Sequence, residues 1–162
     1  MYTRIYMYMC VEYLLHTTHV YLYLFSAIVP RLTIAADDVA HVYNVNGHHV
    51  LTSSSGQAQT VTLQSGTCVL VMLVQNSYGQ AGLLAETSTG VVTDASWKCS
   101  RTYGHYWHHP SFDDSSWPNA RVVATNGDGT FTTILDISAQ AKWIWIDVTP
   151  TLGSIYCRKT LC

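Results

Sequence analysis

The stretch LTIAADDVAHVYNVNGHHV, residues 32–50, decides the fold class. Its apolar residues fall in short runs broken by turn formers, not at helical spacing. RLTIAADD reads as a strand ended by Asp37 and Asp38, and VAHVYNV as a second strand with Ala40, Val42 and Val45 toward a core. Asn46-Gly47 follows, a strong hairpin signal because both residues tolerate positive φ, and HHVLT returns. The single residue between Tyr43 and Val45 predicts a bulge.

The same grammar continues downstream. QTVTLQ alternates and Ser65-Gly66 turns. TCVLVMLVQN, residues 67–76, is a near-continuous apolar run rich in β-branched residues, which predicts a strand buried on both faces at the centre of a sandwich. AGLLAET is expected to pair beside it. After Gly90 come VVTDASWKCS, the loop RTYGHYWHHPS, FDDSSWPNA, ARVVAT, a turn at Asn126 to Gly129, TFTTILDI, AKWIWID and SIYCRKTL. About ten short strands at this spacing mean an all-β sandwich or barrel. By the two-residue period Trp143 and Trp145 share one strand face, with Ile144 and Ile146 on the other, all in the core. No repeat of 20–50 residues is visible.

Composition narrows the function classes. The 162 residues suit one domain with a real core. A charged fraction of 11% and a net charge of −2 argue against a nucleic-acid partner, which needs a basic surface. The hydrophobic fraction of 48% argues against disorder, and 11 Tyr, 5 Trp and 3 Phe supply many aromatic faces. The five cysteines show no zinc-ribbon spacing, and an odd number leaves at least one thiol unpaired within the chain. Sparse charge and a possible bridge lead us to expect an oxidising, extracellular setting.

Residues 1–30, MYTRIYMYMCVEYLLHTTHVYLYLFSAIVP, differ from the rest. The apolar run from Val20 to Val29 comes late for a signal peptide and lacks a small-residue cleavage site. Glu12, His16 and His19 interrupt any membrane span. RIYMYMCV and HTTHVY resemble dinucleotide-repeat DNA read in frame, so much of 1–24 is expected to be a gene-model extension. A peptide from residues 5–24 in native protein would refute this. The alternative is an ordinary N-terminal strand, VYLYLF. Residues 31–162 are taken as the domain.

Within 31–162, LTIAADDVAHVYNVNGHHV, VTLQSGTCVLVMLVQN and AGLLAE together resemble the galactose-binding-like jelly-roll domain, an accessory module of α-L-rhamnosidases, β-galactosidases and related glycosidases. The matching positions are Ala36, Asp37, Asp38, Tyr43, Val45, Asn46, Gly47, Leu63 and Gly66. TDASWKCS, FDDSSWPNA, AKWIWI and YCRK also resemble segments of such domains. One departure stands out: AKWIW and YCRK come last here, whereas many of these modules place the corresponding segment before the Asp-Asp strand. Either the sandwich closes with its C-terminal strands beside residues 31–36, or the chain is cut from a longer tandem array. The resemblance permits one structural calcium, for which Asp37, Asp38, Asp113 and Asp128 are candidates, and implies no other cofactor.

FDDSSWPNA, residues 112–120, is the most suggestive local motif. Two carboxylates that share acid/base work flank a substrate, with roughly 5–10 Å between them. Adjacent residues in a turn rarely converge that way. Asp and Ser instead accept nearby backbone N–H groups. The motif therefore reads as a turn in which Asp113 or Asp114 caps, Trp117 packs and Pro118 stops the chain. Trp117→Ala is then expected to unfold the domain, and Asp114→Asn to leave any binding nearly intact. His105, His108 and His109 have the spacing of zinc ligands on a helix, but Gly104 and Pro110 make the segment a loop, so exposed imidazoles are expected, as at His48 and His49.

The same loop offers Tyr103, His105, Tyr106 and Trp107 as an aromatic surface on which a sugar could stack. Trp107 fits packing equally well. Cys99 and Cys157 could bridge two late strands. Cys10, Cys68 and Cys162 read as unpaired, Cys68 being buried in its strand. No nucleophile elbow, phosphate loop, dinucleotide fingerprint or HExxH occurs. The expectation is a non-catalytic module that binds carbohydrate or a cell surface, without a membrane span. A glycosidase accessory fragment and a structural adhesive domain are the alternatives.

Overall fold

The computed structural model describes residues 29–149 and 151–162. The expectations for residues 1–28 lie outside the described residues. Ten strands form: β1 (Arg31–Asp37), β2 (Val39–Tyr43), β3 (His49–Ser54), β4 (Gln59–Thr62), β5 (Val69–Asn76), β6 (Gly82–Thr87), β7 (Lys98–Ser100), β8 (Arg121–Thr125), β9 (Lys142–Trp145) and β10 (Gly153–Thr160). They make two antiparallel five-stranded sheets, ordered β4-β1-β6-β9-β8 and β3-β2-β5-β10-β7. The protein is an all-β sandwich.

Alternation builds the core between the sheets. Leu32, Ile34 and Ala36 of β1, Ala40 and Val42 of β2, Leu70, Met72 and Val74 of β5, and Leu83 and Ala85 of β6 belong to one buried cluster. Their neighbours in sequence point outward. Asp38 turns the chain from the first sheet to the second at φ 47°. Its carboxylate accepts the N–H groups of Ser77 (2.5 Å) and Tyr78 (3.2 Å), which pins the corner to the end of β5.

Several sequence expectations need correction. β6 does not pair with β5; it lies between β1 and β9, while β5 lies between β2 and β10. Both strands are apolar on both faces, and each occupies the centre of its own sheet. The C-terminal strands do not lie beside residues 31–36, because β4 and β6 occupy both edges of β1. TFTTILDI is not a strand; its backbone is taken up by the side chain of Asn126. Trp143 and Trp145 are both buried but in different clusters, since β9 ends at Trp145 and alternation lapses there. The hairpin turn is Asn44–Gly47, closed by the Gly47 N–H to the Asn44 carbonyl at 2.9 Å, and only Gly47 takes positive φ, at 76°. The irregularity lies opposite Val42 and Tyr43 and its extra residue is Val50 of β3, while β2 keeps an unbroken register against β5.

Two disulfides fasten β10 on both sides. Cys99–Cys157 joins it to β7, and Cys68–Cys162 joins the residue before β5 to the residue two beyond β10. Cys68 and Cys162 are thus bridged, contrary to their sequence reading. A strand reading sees Cys68 as one more apolar residue and cannot see a partner 94 residues away.

Each sheet is also covered on its outer face. Residues 126–141 lie over Ala35, Leu84 and Trp143 of the first sheet. Gly82 makes room there, since a Cβ would meet Trp143 at 2.8 Å and Phe131 at 3.1 Å. Residues 101–119 lie over Val69, Val71, Tyr43 and Tyr156 of the second.

Candidate functional site

The candidate loop, residues 101–119, is a chain of turns. Trp107 N–H bonds to the Gly104 carbonyl (3.2 Å), His109 N–H to Tyr106 (2.8 Å), Phe112 N–H to His109 (3.1 Å) and Trp117 N–H to Asp114 (2.9 Å). Its floor is aromatic. Trp107 lies within 6.4 Å of Trp117 at an interplanar angle of 25°, and meets Tyr156 (5.2 Å) and Tyr43 (6.0 Å) edge to face. Such geometry suits the ring quadrupoles. Trp107 and Trp117 are buried, so Trp107 belongs to the floor and its faces are spent on packing.

Above that floor, Tyr103 and Tyr106 are 57% and 62% exposed. Tyr103 rests on Tyr156 at 4.3 Å, and His105 lies 3.9 Å from Tyr106. Tyr106 holds φ at 58°, a left-handed conformation that a bulky side chain seldom adopts. Burial holds the Tyr156 hydroxyl above its usual range, helped by Tyr103 and Tyr43. His108 sits over Gly47, where a Cβ would come within 2.9 Å of the ring, so with a φ of 76° glycine suits both the β2–β3 turn and its close approach to the loop. Partial burial lowers the His108 pKa, and His109, His105 and Arg158 lower it further.

The whole loop hangs on one residue that the sequence reading did not single out. Arg158 of β10 is 1% exposed. Its guanidinium donates to the Asp114 carboxylate at 2.8 Å and to the carbonyls of Trp107, His109 and Phe112. It also lies 5.1 Å from the Phe112 ring centroid. The available signal was parity: Ile155 and Cys157 face the core, so Tyr156 and Arg158 must face outward.

This resolves FDDSSWPNA. Asp113 accepts the Ser115 N–H at 2.9 Å, and its pKa is lowered by Ser115. Asp114 pairs with Arg158. The earlier turn TDASW uses one carboxylate, Asp94, to accept from Ser96 while its carbonyl closes the turn onto Trp97. Doubling the aspartate separates the cap from the ion pair. Asp114 therefore ties the turn to β10 as well as closing it, and its substitution to Asn is expected to destabilise the loop.

The four calcium candidates do not come together. Asp38 holds the β1–β2 corner and Asp113 its own turn. Asp128 accepts from the N–H groups of Thr125 (2.7 Å) and Thr130 (2.9 Å), which lowers its pKa to about 2. Burial raises the pKa of Asp37. Calcium takes about six to eight oxygens in one shell. Among the described residues no group of three His, Cys, Asp or Glu side chains could hold a metal ion. His41 and His49 each lie within hydrogen-bond reach of the Thr52 hydroxyl, at 3.0 and 2.7 Å. No helix among the described residues is long and apolar enough to cross a membrane.

No family model and no solved structure matches the chain. It is similar to part of an α-L-rhamnosidase from Streptomyces avermitilis, with 34% identity over 89 residues. The match takes in 49% of this chain and 9% of the enzyme, so the chain corresponds to a small segment of that relative.

Proposed function

We propose that this sandwich is a non-catalytic carbohydrate- or cell-surface-binding module of the galactose-binding-like jelly-roll kind, working outside the cell. Tyr103, His105 and Tyr106 form its contact surface, and Trp107 is the support beneath. The observation that carries this reading is Tyr106: an exposed aromatic held at φ 58° on a loop anchored by a buried arginine. Left-handed backbone costs an ordinary residue about 1–2 kcal/mol. Strain of this kind collects at functional positions. Exposed aromatic faces suit the C–H faces of a pyranose.

The similarity to a rhamnosidase segment supports a second, compatible reading, that of an accessory domain of a glycosidase. The enzyme's own activity would then reside in other parts of such a protein. The two disulfides support an extracellular setting. The test is a glycan array probed with the full chain, with and without calcium. Binding that is insensitive to calcium and weakened by Tyr103→Ala and Tyr106→Ala supports the module. Silence on galactosides, rhamnosides and glucans favours a structural or adhesive domain instead.

A further inference from the structure

The outer face of the first sheet is only partly covered. Beyond residues 126–141, toward β4, it becomes polar and concave. Thr60, Thr33 and Glu86 are opposed partners on β4, β1 and β6, a single row across three strands. The Thr33 and Thr60 hydroxyls are 2.9 Å apart. Arg31, two residues before Thr33, shares that face. Asp136 supplies one wall and the turn at Ser88 to Gly90 the other, around a cleft of about 580 Å³.

We propose that this cleft binds a neutral saccharide unit through its vicinal hydroxyls. Glu86 is half-buried, and its Oε2 accepts the Ser138 N–H at 2.7 Å, which fixes the carboxylate's direction. A carboxylate accepts strong, short hydrogen bonds from hydroxyl donors. Arg31 can donate to a hydroxyl or ring oxygen, and the two threonines can do either. No aromatic ring or large apolar side chain lines the cleft, so an apolar ligand gains little there. Two carboxylates against one guanidinium disfavour an anion. The volume falls in the range of small-molecule sites, roughly 300–1,000 Å³. The site lies on the opposite sheet from Tyr106 and stands or falls independently of it.

The test is an amide NMR titration of the full chain with free L-rhamnose, D-galactose and D-glucose, with calcium chloride and inorganic phosphate as further arms. Saturable shifts at Thr33, Thr60, Glu86 and Ser138 with at least one sugar are expected. They should persist in Tyr106→Gly and weaken roughly tenfold in Glu86→Gln, the scale of a charge-assisted bond. Thr60→Val, an exposed edge-strand change, serves where Glu86→Gln fails to fold. Absence of shifts at these amides with all three sugars overturns the proposal. So do shifts with calcium or phosphate alone, or sugar shifts that both variants leave unchanged.

Discussion

Residues 101–119 and 126–141 do the same structural job on opposite sheets and are held in opposite ways. Segment 126–141 is held chiefly by one of its own side chains, with a single outside tie from the Ser138 N–H to Glu86 of β6. The Asn126 amide donates to the Ile134 and Ile137 carbonyls at 2.9 and 2.8 Å and accepts the Ile134 N–H at 2.9 Å. Ile134, Ile137 and the Phe131–Trp143 stack then fill the face. Segment 101–119 cannot satisfy itself and takes a guanidinium from β10. A second tie, Arg101 to Asp147 at 2.7 Å, fixes its start and holds the Asp147 carboxyl below its usual range. A neutral amide suffices for a cover. A buried ion pair carries a desolvation penalty, and what it supplies is fixed geometry. The difference teaches that the aromatic segment is built for position as well as burial.

That comparison can be broken at its ends. The largest effect is expected from Trp117→Ala, about 3–5 kcal/mol, the usual range for a large buried aromatic. Hydrogen exchange should then rise across 101–119 while 126–141 stays protected. Asp114→Asn comes next, on the order of 3 kcal/mol, because it leaves Arg158 buried without its carboxylate. Urea unfolding measures it, and a change below about 0.5 kcal/mol, the level of an ordinary surface substitution, would remove Arg158 from its central role. Asn126→Ala should cost about 2 kcal/mol through unsatisfied backbone groups, with exchange rising in 126–141 alone.

Acidification separates the two segments more gently. The folded pKa of His108 lies below its unfolded value of about 6.5, so its contribution is complete above that pH. As pH falls through about 6.5 toward the folded value, the unfolded chain binds more protons and segment 101–119 loosens. Asp128, in the other segment, has the carboxylate sign. Its contribution is present above the unfolded value of about 3.9 and is lost as pH falls toward about 2. Protection factors, with the intrinsic pH dependence of exchange divided out, should therefore fall over 101–119 between pH 7 and pH 5 and stay unchanged over 126–141.

Much of the fold was legible because parity and turn chemistry are local. β1, β2 and the doubly buried β5 follow from alternation and from where Asp and Gly stand. Sheet partners were not legible, since an apolar strand does not name its neighbour; hence the misplacement of β6. TFTTILDI has strand composition, and a single amide, Asn126, overrides it. In the candidate loop the aromatic content was plain, but which rings lie beneath and which above depends on Arg158, 51 residues from Trp107. Nothing about the arginine in YCRK says which loop it will hold.

The smallest expected effect on stability carries the most information. Tyr106→Gly relieves a left-handed conformation, removes an exposed ring and leaves the Arg158 anchor intact. Glycan binding at the loop, read from amide shifts at residues 103–107 and so kept apart from the β1–β6 cleft, and Tm should be measured together on the full-length wild type and this variant. The account predicts an unchanged or slightly raised Tm with binding weakened at least tenfold. Binding that survives unchanged in the variant, or is absent from the wild type, would contradict it.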